Sequence, residues 1–199
     1  PMTMALADVD SNGTLDLYVT NNRPSDVRDE GSVTIKRIGG KLVIPAKYKN
    51  RLVVSGGGVK EYGQADFLFL NDGKAAFSKA SWTDGSFLDA GGVPLKKPPL
   101  DWGLSAAFHD VNADRLPDLY VCNDFWTPDR FWINQGNGVF KLLGPRYLNK
   151  TSASSMGVDF SDYDQDGDVD LFVVDMLSRD LELRKRQALA QDSSDQQMG

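Results

Sequence analysis

The chain has 199 residues, with 28 acidic against 22 basic side chains and a net charge of −6, a length that fits one domain with a sizeable core. A lone Cys122 excludes an internal disulfide, and no basic stripe with interleaved aromatics points to nucleic acid. The acidity is local: segments 8–16, 110–118 and 162–170 hold 11 acidic residues and one basic residue, which leaves the remainder net positive.

The first of these segments opens the chain. "ADVDSNGTLDLYVTN" places Asp8, Asp10, Asn12 and Asp16 at positions 1, 3, 5 and 9 of a loop, with Gly13 at position 6. Oxygen ligands at that spacing, a glycine for the sharp turn and a backbone carbonyl from position 7, here Thr14, are how a short loop wraps a hard cation such as Ca²⁺. An EF-hand is excluded. Position 12 is Val19 instead of a bidentate Glu, and "DLYV" prefers a strand to an exiting helix.

From about residue 23 to 64, "GSVTIKRIGGKLVIP" and "RLVVSGGGVKEYG" each read as two short strands around a glycine-rich turn, predicting inserted hairpins. "DFLFLNDGKAAF" (66–77) follows, and then a turn- and proline-rich stretch (81–101) that reads as an inserted loop.

The second acidic loop, "HDVNADRLPDLYVCN", repeats the first. Asp110, Asn112, Asp114 and Asp118 are its side-chain ligands, Leu116 offers the position-7 carbonyl, and Val121 stands at position 12. Arg115 occupies the glycine position, so it must take a left-handed backbone. "DRFWINQGNGVF" (129–140) then matches 66–77 in length, pairing Asp66 with Asp129, Asn71 with Asn134 and Phe77 with Phe140.

The third loop, "SDYDQDGDVDLFVVD", offers Asp162, Asp164, Asp166 and Asp170, with Gly167 at the turn and Asp168 at position 7. Loop starts lie 102 and 52 residues apart, and insertions of 39 and 11 residues in the first unit account for the difference.

A unit of about 50 residues with four strands is the signature of a β-propeller blade. The sequence therefore predicts an all-β chain: a partial propeller of about two and a half four-stranded blades with Ca²⁺ loops. The first blade covers 1–80 with the hairpin insertion at about 23–64, then the loop 81–101. The second blade covers 102–154, a partial blade 155–176, and a helical or disordered tail 177–199. In the tail, Ser178 is the expected helix cap, with Asp180 and Glu182 in the first turn.

The loops "DVDSNGTLDLYV" and "DYDQDGDVDLFV", with "WGLSAAF" ahead of the second acidic loop and "SMGVDF" ahead of the third, resemble the FG-GAP/VCBS repeats of integrin-α-like β-propellers. "DWGLSAAFHDVN", "PDLYVCNDF" and "SSMGVDFSDYDQDG" resemble the bacterial proteins that join such repeats to an ASPIC/UnbV module, similar to cartilage acidic protein. The resemblance implies a calcium-stabilised propeller of an extracellular, cell-surface or periplasmic protein, with adhesion or other binding as its role. Its partners would be a protein or carbohydrate ligand and the remaining blades of the parent chain. Two departures stand out: Arg115 replaces glycine, and the ASPIC/UnbV module is not in this sequence.

No nucleophile motif is present, and His109, the single histidine, reads as structural or exposed, so a non-catalytic chain is expected. The alternative is part of a propeller-fold polysaccharide-active enzyme. Phe125, Trp126 and Trp82 fall in loops, where large aromatics either stack on a ligand or pack between blades; Trp132, in a strand, reads as core.

Overall fold

Aliphatic and aromatic runs flanking each acidic loop alternate their side chains across two faces, and in the computed structural model they pair as antiparallel strands. The structure describes residues 1–183 other than 75, 125, 126, 145, 146, 149, 150, 153 and 177. Its described residues are almost wholly strand and connecting loop, so the chain is all-β.

Strands β1 (Met4–Ala7) and β2 (Asp16–Val19) flank the first acidic loop. Two separate hairpins follow, β3 (Lys36–Ile38) with β4 (Lys41–Val43) and β5 (Leu52–Ser55) with β6 (Gly58–Glu61). Strands β7 (Phe67–Asn71) and β8 (Phe77–Lys79) then complete a four-stranded sheet of order β1-β2-β7-β8. The hairpin segment carries its own small core, in which Val27, Tyr48 and Leu52 pack with Ile35, Ile44 and Val59.

The segment leaves and rejoins the sheet at one point, where the N–H of Gln64 donates to the carbonyl of Asn22 at 2.9 Å. Close approach is needed there: a Cβ on Gly63 would lie 1.7 Å from the carbonyl oxygen of Asp101.

The next strand departs from the sequence expectation. Residues 81–101 were expected to be loop throughout, yet β9 (Phe87–Leu88) pairs in parallel with a later strand. The cause is Phe87, which is buried against Trp82, Trp132 and Phe140 and so holds its backbone at the sheet edge. Strands β10 (Gly103–His109), β11 (Asp118–Asn123), β12 (Arg130–Asn134) and β13 (Phe140–Leu142) with β9 make a five-stranded sheet. Finally β14 (Ser155–Ser161) and β15 (Asp170–Asp175) form a two-stranded sheet around the third loop.

Strand β11 shows how these sheets stack. Every residue of it is buried, because both faces are covered. Leu119 and Val121 join Val9, Tyr18, Leu68 and Trp132 in the core shared with the first sheet. Tyr120 and Cys122 face the other way, into a core with Phe131, Val158, Phe160 and Val173. Period-two alternation thus sends one strand into two cores. Trp132, 1% exposed, is the largest of the fully buried side chains among the described residues, and truncating such a residue to alanine costs about 3–5 kcal/mol.

In the tail, residues 181–183 form a helical turn, and the cap differs from expectation. Asp180 Oδ1 accepts the N–H of Leu183, while Ser178 Oγ accepts that of Asp180. Asp180 caps the turn because it reaches a third-residue N–H, and Ser178 supports it from outside. The rest of the expected tail, 184–199, lies outside the described residues.

Candidate metal centres

Each acidic loop is a tight double turn built on its own first carboxylate. Asp8 accepts the N–H of Asn12 on Oδ1 and that of Gly13 on Oδ2, at 3.0 and 2.8 Å. Asp110 does the same for Asp114 and Arg115, at 3.1 and 2.8 Å, and Asp162 for Asp166 and Gly167, both at 3.1 Å. Position 5 holds the following turn. The N–H groups of Thr14, Leu116 and Asp168 donate to Asn12, Asp114 and Asp166 respectively.

Two left-handed residues per loop make this wrap possible. At position 6 they are Gly13, Arg115 and Gly167, with φ of 85°, 69° and 93°. The strained Arg115 expected from the sequence is therefore present. At position 4 they are Ser11, Ala113 and Gln165, with φ of 62°, 59° and 63°. That second set was not legible in the sequence, because no glycine marks it.

The ninth-position aspartate serves loop and sheet together. Asp16, fully buried, accepts the N–H of Val9 on Oδ2 and that of Asn71, at the end of β7, on Oδ1. Asp118 likewise accepts those of Val111 and Asn134. Burial pushes both carboxyls above their ordinary range, opposed by these N–H donors. Asp170 accepts the N–H of Tyr163 and is exposed.

Carboxylate convergence separates the loops. One oxygen from each of Asp8, Asp10 and Asp16 lies within 4.8 Å of the others, and so does one from each of Asp162, Asp164 and Asp166. Among the described residues, Asp110, Asp114 and Asp118 form no such cluster. In loop two the amide Nδ2 of Asn112 donates to Asp114 Oδ2, at 2.9 Å. In loop one Asn12 Nδ2 lies 3.2 Å from Asp10 Oδ2 and 2.8 Å from the carbonyl of Asn71. Both asparagines must turn their amides to present oxygen to a cation. The donor set is all oxygen and mostly carboxylate, which suits a hard ion such as Ca²⁺.

Beyond the loops lies a buried network that sequence reasoning missed. Tyr18 donates its hydroxyl to Asp66 Oδ2 at 2.8 Å, and Asp66 Oδ1 accepts the N–H of Asn21 at 2.7 Å. Tyr120, Asp129 and Asn123 repeat this at 2.7 and 2.8 Å, with Ser155 as a further donor. Burial pushes the Asp66 carboxyl up to about 7 and raises Asp129 as well. The pairing of Asp66 with Asp129 in the two aligned segments was the available signal.

Of the three loop aromatics, Trp82 is a correction. It is buried, 3.9 Å between ring centroids from Phe87, and its Nε1 donates to the carbonyl of Asp66. A ring so enclosed has no face left for a ligand. Phe125 and Trp126 lie outside the described residues. His109 stacks on Phe160 with centroids 5.2 Å apart. Burial pushes the Cys122 thiol up to about 12, which leaves it unreactive.

Three sheets, each with an acidic loop joining two adjacent antiparallel strands, define a β-repeat protein. Residues 110–173, from the first aspartate of loop two into β15, match the FG-GAP-like repeat family. Loop one lies outside that match and has the same hydrogen-bonded geometry. No curated protein matches the chain. Among the described residues, no helix is long and apolar enough to cross a membrane.

Proposed function

We propose that this chain is a calcium-stabilised segment of a β-propeller, in which each sheet is a blade and the whole serves as a binding scaffold of an exported interaction protein. The observation that carries this reading is the ninth-position aspartate, which closes an acidic loop and also pins the third strand of the sheet. Ca²⁺, when bound, supplies positive charge that holds mutually repelling carboxylates together. Asp8, Asp10, Asn12 and Asp16 would hold one ion, and Asp162, Asp164, Asp166 and Asp170 another, with the carbonyls of Thr14 and Asp168 completing the shells. Asp110, Asn112, Asp114, Asp118 and the Leu116 carbonyl form a third, weaker site.

Binding instead of catalysis is supported by how the reactive groups are committed. The single histidine is stacked on Phe160, the cysteine is buried, and Asp66 and Asp129 are locked beneath tyrosines. The ligand would be protein or carbohydrate, and the parent would carry further blades, of the kind joined to ASPIC/UnbV modules. The test is thermal unfolding with Ca²⁺ and with a chelator, on the wild type and Asp166→Ala. A calcium-dependent rise in Tm that Asp166→Ala reduces supports the reading; no calcium dependence overturns it. Incubation with a polysaccharide panel separates binding from turnover, and product release would assign the chain to a glycan-active enzyme.

A further inference from the structure

Residues 31–60 carry seven lysines and arginines and no carboxylate, within a chain of net charge −6. Part of that charge is neutralised by flanking acids: Arg51 pairs with Glu30 and Glu61 at 2.8 and 2.6 Å, and Lys47 lies 3.9 Å from Glu30. The β3–β4 hairpin is different. Its register sets Lys36 opposite Val43 and Ile38 opposite Lys41, so these four side chains share one face. All four are exposed, Ile38 by 61% and Val43 by 41%, and among the described residues neither lysine forms an ion pair.

Solvation alone explains two lysines on a hairpin but not the aliphatic residues between them. The small core of this segment takes the neighbouring Ile35 and Ile44 and leaves Ile38 and Val43 outside. A partner that satisfies the whole face must offer negative charge with an apolar layer directly behind it. An anionic bilayer does: lipid phosphates meet the ammonium groups while short branched side chains reach the first acyl carbons. An acidic polysaccharide offers only the charge. We propose that the Lys36–Ile38–Lys41–Val43 face of the β3–β4 hairpin docks on an anionic phospholipid bilayer as a peripheral contact.

The test is sedimentation of the full chain with vesicles of phosphatidylcholine, alone or mixed with phosphatidylglycerol, with calcium present throughout. Binding is expected to the mixed vesicles only and to weaken with salt. Lys36→Gln with Lys41→Gln should lower partitioning roughly tenfold or more, and Lys36→Arg with Lys41→Arg should retain it. Ile38→Ser with Val43→Ser, at unchanged charge, should lower it several-fold. Three results would overturn the proposal. One is no binding to the mixed vesicles. Another is binding that the glutamine pair leaves intact, which would place the contact at the calcium loops. The third is binding indifferent to the serine pair, accompanied by capture on an acidic polysaccharide.

Discussion

The backbone N–H of Asn134 donates to Asp118 Oδ1 at 2.8 Å, while at the other end of the same two strands the N–H of Asn123 donates to Asp129 Oδ1 at 2.8 Å. Strands β11 and β12 are thus clamped at both ends by a carboxylate of one strand and an asparagine N–H of the other. Strands β2 and β7 repeat the clamp, with Asp16 on Asn71 and Asp66 on Asn21. One clamp of each pair sits at the acidic loop and the other in the buried tyrosine network. The ninth-position carboxylate therefore couples the acidic loop to the sheet, and a cation bound there would bear on strand pairing as well as on the loop.

Asp118→Ala should consequently destabilise the protein far more than Asp110→Ala in metal-free buffer. The first change strands two backbone donors, on Val111 and on the buried Asn134, each costing about 1–3 kcal/mol. The second removes bonds to exposed N–H groups that water can replace, for about 1 kcal/mol. Urea unfolding of both variants measures the difference. Equal losses would show that the ninth aspartate does not hold the sheet.

Asp66 makes stability fall as the solution becomes neutral. Its carboxyl, ordinarily near 3.8, is pushed up to about 7 in the folded chain, first by burial and then by the charge of Asp101. The folded state therefore holds a proton that the unfolded state has released. The stabilisation is full below the unfolded value and is lost as pH rises through about 7. Asp66→Asn keeps an oxygen for the N–H of Asn21, can donate its amide to the Tyr18 hydroxyl oxygen, and has nothing to ionise, so it should flatten this part of the profile. Melting temperatures of wild type and Asp66→Asn from pH 4 to 8, in metal-free buffer, test it. The variant's advantage should be larger at pH 8 than at pH 5, and parallel curves would contradict the assignment.

The strands and loops were legible because their signals are periodic and local. Branched and aromatic runs marked the strands that leave the loops, and side-chain oxygens at positions 1, 3, 5 and 9 marked the turns. What escaped depends on distant partners. Strand β9 is two residues long and exists because Phe87 finds Trp82, Trp132 and Phe140. Trp82 sits in a turn-rich segment, and only the meeting of two sheets makes it core. The clamp of Asp66 on Asn21 joins a side chain to a backbone N–H 45 residues away, a contact with no sequence period. The left-handed Ser11, Ala113 and Gln165 share no residue type that could have flagged them.

Replacing the inserted hairpin segment by a short turn should leave the first sheet and its acidic loop in place. The two ends already meet, since Gln64 N–H donates to the carbonyl of Asn22. The segment has its own core, so excision exposes little of the sheet. One anchor should be kept: the carbonyl of Glu61 accepts the indole N–H of Trp102 at 3.1 Å, and losing it costs about 1 kcal/mol. Excision of 28–58 spares it. Calorimetric titration with Ca²⁺ should give the same affinity for loop one before and after. Loss of binding would make the insertion part of the metal-bearing unit.

The three loops should differ in calcium affinity, loop three binding tightest, loop one next and loop two weakest. Ligand charge sets the upper end: loop three offers four ligand aspartates, and three of them already converge. Loop one offers three converging aspartates, with Asn12 as a neutral ligand once its amide turns. Loop two also has three, without convergence, and its Asn112 amide is engaged on Asp114. It also carries Arg115 at φ 69°, which costs about 1–2 kcal/mol relative to glycine and sets a positive side chain beside the cation. Titrations of single-loop knockouts should place the strongest site near the tighter end of roughly 10⁻⁴–10⁻³ M for extracellular modules. Asp166→Ala should reduce the calcium-dependent Tm shift more than Asp114→Ala does. Arg115→Gly should raise the affinity of loop two, because it removes both the strain and the repulsion while Asp110 keeps its backbone partner at that position. If Arg115→Gly leaves that affinity unchanged, or if loop two proves tightest, neither backbone strain nor ligand charge sets the order.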